Sequence, residues 1–389
     1  MLLSLLLLAC APDPDPVPGA PNILLILLDD VGQDGVAAYG VSPDPPVTPV
    51  LDGLADAGIR FTRAYAYPSC KPSRGALLTG RYVRSGVLTD DLRLRASTRT
   101  LADVAREAGY ETALFGKWHL SGRRLGQTRA PLRHGFDHFE GRMGNFIDTA
   151  RDWDGRFDYT RWEFVRNGRT SLVTGWAPTV VVDAAEAWIA ERDGPWFAYV
   201  ALSAAHGPMH VPPADLQSTG VDEGSSNPEK FRAIVEAADT ELGRLLGSLT
   251  PETLANTVVI VAGDNGTDAA RDDPDFDVLG GKTTMFEGGI RVPLIVTGPP
   301  VTQPGAVHGG LVHLVDVLPT IAELVAGEVG ESDGQSLLPV VTAPERPGER
   351  TALFAEQLLD VLDRRAMISR TLKLVDEAHR GTRWVARPG

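Results

Sequence analysis

The run Asn22-Ile-Leu-Leu-Ile-Leu-Leu28, followed at once by Asp29-Asp30, decides how this chain is to be read. An amphipathic strand would alternate apolar and polar positions, and this one does not. Its continuous apolar character marks a strand covered on both faces, as in the middle of a parallel sheet. Its abrupt end on two carboxylates sets acidic side chains at a strand's carboxyl edge, where open α/β sheets hold their ligands.

Working outward, the same pattern recurs. Thr100 can cap a helix running to Ala108 and closed by Gly109, and a strand over 111–115 then leads into Gly116-Lys117-Trp118-His119. A helix over 179–192 precedes a strand over 196–202 that enters Ser203-Ala204-Ala205-His206. A helix over 228–249 precedes a strand over 257–262 that enters Gly263-Asp264-Asn265-Gly266. This alternation predicts an α/β domain with a large, mostly parallel sheet flanked by helices, and every polar cluster falls at the same edge of it. The Pro-rich break at 342–350 (TAPERPGER) divides residues 21–341 from a small α+β subdomain over 350–389, expected to hold one helix and a few strands.

With 389 residues, 43% of them hydrophobic and 23% charged, the chain has ample material for a folded core. A net charge of -14 excludes a nucleic-acid partner, which would need a basic stripe. Residues 1–10 (MLLSLLLLAC) are too short an apolar run to span a bilayer and read as an export signal. Leu7-Leu8-Ala9-Cys10 resembles a bacterial lipobox. It implies a lipid on Cys10 and a Pro-rich tether to residue 20, hence a membrane lipoprotein facing the periplasm or cell surface. An ordinary cleaved signal, giving a soluble periplasmic or secreted protein, is the alternative. Cys10 and Cys70 are the two cysteines, so removal or lipidation of the first leaves no disulfide.

In Ser69-Cys70-Lys71-Pro72-Ser73-Arg74 the Pro opens a helix that Gly80 closes, which puts Cys70 at a helix N-terminus. There the backbone dipole favours a nearby anion. Taken by itself the cysteine is either a thiol nucleophile of lowered pKa or a small buried residue, and both readings stand at this point.

The longer run, Cys70-x-Pro72-Ser73-Arg74 with the tail Leu77-Leu78-Thr79-Gly80-Arg81, resembles the signature of the formylglycine-dependent, arylsulfatase-like sulfatases of the alkaline phosphatase superfamily. The resemblance extends from Pro21 to the C-terminal strands and implies the alkaline-phosphatase-like α/β fold. It implies that a formylglycine-generating enzyme oxidises Cys70 to formylglycine (3-oxoalanine), the nucleophile. One Ca2+ would be held by Asp29, Asp30, Asp264, Asn265 and the formylglycine at Cys70, hard oxygen donors of the kind calcium takes. Arg74 matches the residue that holds the formylglycine hydroxylate. Lys117 and His119 match Gly-Lys-Trp-His-Leu, His206 with Pro208 and Pro212 matches His-x-Pro-x-x-x-Pro, and Lys282 matches a late sulfate-binding lysine.

The implied activity is hydrolysis of a sulfate monoester, on a sulfated sugar or an aryl sulfate, to an alcohol and inorganic sulfate. Lys117 and Lys282 bind the sulfate, His206 protonates the leaving alcohol, and His119 takes a proton as sulfate departs. Gly288-Gly289-Ile290-Arg291-Val292-Pro293 resembles the family's turn into a strand, with a structural role and Arg291 as a buried brace. His134, His138, His210, His308 and His313 read as surface residues. Trp153, Trp162 and Arg142, within 123–162, are candidates to stack on a sugar or aryl ring, against ordinary exposed loop packing. Two rivals remain: a phosphomonoester, phosphodiester or phosphonate hydrolase of the same superfamily, and a non-catalytic binder of sulfated glycans.

Overall fold

A computed structural model describes residues 19–121, 127–146, 158–268, 280–357, 364–377 and 381–386. Cys10 and Trp153 lie outside them. Among the described residues, ten strands form one sheet. In order across it they are Ala306–His308, Ile59–Phe61, Leu294–Thr297, Thr257–Gly263, Asn22–Leu28, Trp196–Ala201, Glu111–Lys117, His138–Arg142, Arg161–Arg166 and Arg169–Thr174. From Thr257–Gly263 to His138–Arg142 every neighbour is parallel. Leu294–Thr297 pairs antiparallel with both of its neighbours, and the hairpin of the last two strands is antiparallel. The sheet is therefore mixed at its flanks and parallel at its centre, where the sequence pattern is continuous.

The Asn22–Leu28 strand shows why its apolar run has no alternation. Ile23, Leu25 and Leu27 belong to the core on one face, with Ala76, Leu77 and Leu78 of the Cys70–Thr79 helix and Val317, Leu318 and Ile321 of the Val317–Leu324 helix. Leu24, Ile26 and Leu28 belong to the core on the other face. Their companions there include Val181 and Val182 of the Ala177–Ile189 helix and Ile234 and Leu242 of the Asn227–Gly247 helix. Period two sends each half of the run into a different core, so both halves must be apolar.

The strands and helices expected from the sequence form with ends displaced by a few residues. Thr100 caps Leu101–Glu107 through a capping box with Asp103. The following strand runs on to Lys117 rather than stopping at Phe115, which carries the lysine to the sheet's edge.

The C-terminal part forms four strands among the described residues, and residues 358–363 and 378–380 of the expected helix-and-strand subdomain lie outside them. Ala352–Gln357, Arg364–Ser369, Leu372–Glu377 and Gly381–Ala386 form an antiparallel four-stranded sheet. It packs through Leu353, Ala355, Ile368 and Val375 on Tyr65, Met285 and Ile290 of the main domain. Lys373 reaches across to Glu287 at 2.8 Å, and Arg364 donates to Thr283 O at 3.3 Å. Both contacts brace the segment that carries Lys282.

Candidate active site

The carboxyl edge of the central strands builds one buried cluster. Asp29 and Asp30 follow Leu28 directly, and Asp30 takes a left-handed backbone with φ of 61°. Asp264 and Asn265 leave the neighbouring strand, and the Asp30 N–H donates to Asp264 Oδ1 at 3.1 Å. All four side chains are buried.

Cys70 is the first residue of the Cys70–Thr79 helix, of which only Lys71 is not fully buried. Its Sγ faces Asp29 Oδ1 at 3.4 Å and Asp30 Oδ1 at 3.7 Å. One turn on, Arg74 donates from Nε to Asp264 Oδ2 at 3.0 Å and from a terminal nitrogen to Lys117 O at 2.8 Å. Its other terminal nitrogen lies 2.8 Å from Asp264 Oδ2 and 3.6 Å from Asp29 Oδ1. Lys117 pairs with Asp29. Lys282 straddles the Asp30 carboxylate at 2.7 and 2.9 Å. His206 presents Nε2 to Asp30 Oδ2 at 3.9 Å.

The cluster thus joins three carboxylates to three permanent cations in a space from which water is largely excluded, where charge interactions are strong. Burial alone would raise the Asp29 pKa, yet Lys117, and after it Arg74 and Lys282, hold it well below the usual carboxylate range. Asp264 goes the other way, pushed up by burial and by Asp29. The Cys70 thiol is raised well above its ordinary value, by burial first and then by Asp264. This direction runs against a thiol nucleophile of lowered pKa, one of the two readings of this cysteine taken alone. The helix N-terminus is present, but the carboxylates facing the sulfur outweigh it.

Three of these carboxylates and the Cys70 sulfur lie within 4.8 Å of one another, a grouping able to hold a metal ion. Asn265 supplies the further sign. Its Nδ2 donates to Asp30 Oδ1 at 2.8 Å and to Gly266 O at 2.9 Å. Its buried Oδ1 accepts no hydrogen bond among the described residues. A buried acceptor beside an excess of carboxylate oxygens is what a hard cation satisfies.

His206 sits on the segment after Trp196–Ala201. Its Nδ1 lies 2.8 Å from Gly207 O, which fixes the proton there and leaves Nε2 as the free lone pair. Burial and then Lys117 lower its pKa, against Asp29 and Asp30, so the ring is neutral in this state. His119 is buried two residues beyond Lys117, with φ of 63° and its N–H on Met143 O.

The turn expected at Gly288-Gly289 packs directly on the second acidic pair, with the Gly266 N–H on Gly289 O at 3.0 Å. A Cβ on Gly266 would stand 1.7 Å from Gly288 O. Arg291 does brace this turn, donating to Thr62 O at 2.7 Å, but it is half-buried rather than enclosed.

Several single-residue expectations change. His134, His308 and His313 are buried, not superficial. His134 stacks on Trp118, His308 meets the Phe61 ring edge-on, and His313 accepts from Val315 N. His138 and His210 are half-buried. Trp162 is a core residue that donates to Gly175 O at 3.3 Å, so it is not available to stack on a ligand. Arg142 is buried over the Phe146 ring at 4.4 Å. Tyr159 beside His206, Trp176 beside His210 and Tyr199 beside Arg74 carry no signal in the sequence, because a lone aromatic reads as ordinary core.

The sulfatase family model matches residues 21–327. An N-acetylgalactosamine-6-sulfatase of Sus scrofa is 32% identical over 364 residues, covering 83% of this chain and 66% of that protein. An ulvan-active sulfatase of Formosa agariphila is 29% identical over 362 residues, covering 86% and 68%. The chain spans about two thirds of the length of these curated relatives. The crystal structure of Ps i-CgsB superposes with a TM-score of 0.82 at 25% identity, covering 94% of this chain and 86% of that one. The phosphonate monoester hydrolase of Agrobacterium radiobacter superposes at 0.71 with 21% identity, covering 94% and 89%. The fold is the alkaline-phosphatase-like α/β arrangement expected from the sequence.

Gly266→Ala tests how tightly the site is built. No side chain can yield, since the clash is with main chain, so the substitution is expected to cost more than about 3 kcal/mol. Denaturant unfolding with the wild type in parallel measures it, and an unchanged midpoint contradicts the close approach.

Proposed function

The chain belongs to the sulfatase family, and from that membership we propose that it hydrolyses a sulfate monoester to an alcohol and inorganic sulfate. The observation that carries this reading is the convergence of Asp29, Asp30, Cys70, Arg74, Lys117, His206, Asp264, Asn265 and Lys282 on one buried point. The relatives named for N-acetylgalactosamine 6-sulfate and ulvan support a sulfated sugar as the substrate class. Export of the chain, with a lipid on Cys10, remains part of the proposal; no helix among the described residues is long and apolar enough to cross a membrane.

A sulfate monoester resists attack because its oxygens repel nucleophiles and its alkoxide leaves poorly. The site must therefore neutralise charge, supply a strong nucleophile and donate a proton. Asp29, Asp30, Asp264 and Asn265 would hold a calcium ion, which as a Lewis acid would draw charge from the sulfate and from the nucleophile. Cys70, once oxidised to formylglycine, would supply a hydrated aldehyde: one hydroxyl to attack sulfur, and a second whose deprotonation lets the carbon–oxygen bond to sulfate break.

The chain's own side chains do the rest. Lys117 and Lys282 offer ammonium groups to the sulfate oxygens. Arg74, tied to Asp264 and the Lys117 carbonyl, orients the group at position 70. His206 donates a proton to the departing oxygen. That needs its imidazolium: an incoming anion sets negative charge against the lysines that keep the free ring neutral, and the ring then takes up a proton from water on Nε2. His119, at the same strand end, takes the proton released when sulfate departs.

The direct test is turnover of nitrophenyl sulfate and nitrophenyl phosphate by the formylglycine-bearing protein. Sulfate is expected to be the better substrate by about 100-fold or more, some 3 kcal/mol of barrier. Preference for phosphate would favour the phosphonate-hydrolase relative's class instead. Cys70→Ser keeps one hydroxyl and lacks the second, so it is expected to attack and then fail to release. Mass spectrometry should find a stable sulfate adduct on it, whereas steady turnover by the variant would refute the role of the second hydroxyl. Replacing Asp264 and Asn265 by Ala together is expected to abolish calcium binding by titration calorimetry while Cys70 is still oxidised. Full calcium occupancy in that variant contradicts the ligand assignment.

A further inference from the structure

One histidine outside the reacting cluster is held in a single chemical state against the segment that carries His206. Trp176 Nε1 lies 2.8 Å from His210 Nε2, and an indole nitrogen can only donate. His210 Nε2 therefore accepts, its proton is on Nδ1, and that proton meets Pro208 O at 3.0 Å. The other tautomer would set N–H against N–H and a lone pair against a carbonyl oxygen. The imidazolium would lose the Trp176 bond. Burial lowers the His210 pKa, against Pro208 O, Asp158 and Glu223 and together with Lys230, which agrees with the neutral ring the geometry requires.

His210 is also stacked. Its ring lies 4.0 Å from Tyr159 with 20° between planes, and Tyr159 has Phe146 4.1 Å away. The Tyr159 hydroxyl reaches Ser203 O at 2.7 Å and His206 O at 2.5 Å, the two ends of the turn that presents the His206 ring. At the base of the same segment, Leu202 N donates to Leu27 O and Ala205 N to Asp29 O. His206 is thus anchored to the sheet on one side. On the other it is clamped by Tyr159 and His210, which Trp176 ties to the start of the Ala177–Ile189 helix.

We propose that His210 is a positioning residue for the reaction, locking the His206 ring at the leaving oxygen through its bonds to Trp176 and Pro208 and its stack on Tyr159. The inference rests on the sulfatase reading above and on His206 as the proton donor. Its consequence is selective. An alkoxide leaving from a sugar needs the proton, while a nitrophenolate leaves without it, so a loosened His206 slows the first and spares the second. A residue that merely supported the fold would slow both alike.

The experiment uses the formylglycine-bearing full chain with nitrophenyl sulfate and a sugar sulfate ester. His210→Phe keeps the stacked ring and removes both hydrogen bonds. Trp176→Phe removes only the donor and serves as the second arm if the first variant fails to fold. Both are expected to lower kcat on the sugar sulfate by about tenfold or more, with less than about a twofold change on nitrophenyl sulfate and KM little altered. His206→Ala should show the same split more strongly. His210→Gln, whose carboxamide oxygen can accept from Trp176, should recover most of the loss. Equal losses on both substrates, or no loss on the sugar ester, overturn the proposal. A wild-type chain that hydrolyses neither sulfate overturns the sulfatase reading itself, and the two failures are told apart in one set of assays.

Discussion

The structure is organised around the cost of burying three carboxylates at one point. Asp29, Asp30 and Asp264 stand at the ends of two adjacent parallel strands, essentially without solvent exposure. Each such charge costs several kcal/mol to desolvate, and the cost is met only if matching charge arrives with good geometry. Here it arrives from three separate elements: Arg74 on a helix, Lys117 at a third strand's end, and Lys282 on a segment beyond residue 280. Charge balance therefore ties distant parts of the chain to one place, and removing any cation would take matching charge from a buried carboxylate.

That requirement explains features that otherwise look incidental. The Cys70–Thr79 helix is enclosed on nearly every side because its first turn has to deliver both the position-70 side chain and Arg74 to the same carboxylates. The Gly266 and Gly289 backbones touch because any side chain between them would push Asn265 outward. The C-terminal sheet, through Lys373 on Glu287 and Arg364 on Thr283 O, steadies the stretch that follows Lys282. A small sheet thereby holds one of the three cations in register.

How much of this the sequence made legible follows from how many residues share a signal. The Asn22–Leu28 strand is plain because six consecutive apolar residues have no other soluble explanation. The polar clusters after the strands are plain because strand ends and ligand edges coincide. The short pairings of Ile59–Phe61 and Ala306–His308 are not, since three residues carry no period. A lone histidine reads as exposed from residue type alone. Yet His134, His308 and His313 fill aromatic niches beside Trp118, Phe61 and Tyr67, partners that do not adjoin them in sequence. The C-terminal sheet lacked a pattern strong enough to exclude a helix. The clamp on His206 was invisible for a related reason: Tyr159, Trp176 and His210 meet only in the fold.

The thiol of Cys70 shows most clearly what the carboxylate cluster permits. A cysteine at a helix N-terminus ordinarily gains acidity, but here Asp264 and Asp29 add to burial and make the thiolate unfavourable. A hard cation at this point would bind oxygen in preference to sulfur. Sulfur is therefore poorly suited to the position as a ligand. An oxygen-bearing group in its place would be uncharged until it reacts, and it would extend the oxygen set that Asp29, Asp30, Asp264 and Asn265 begin.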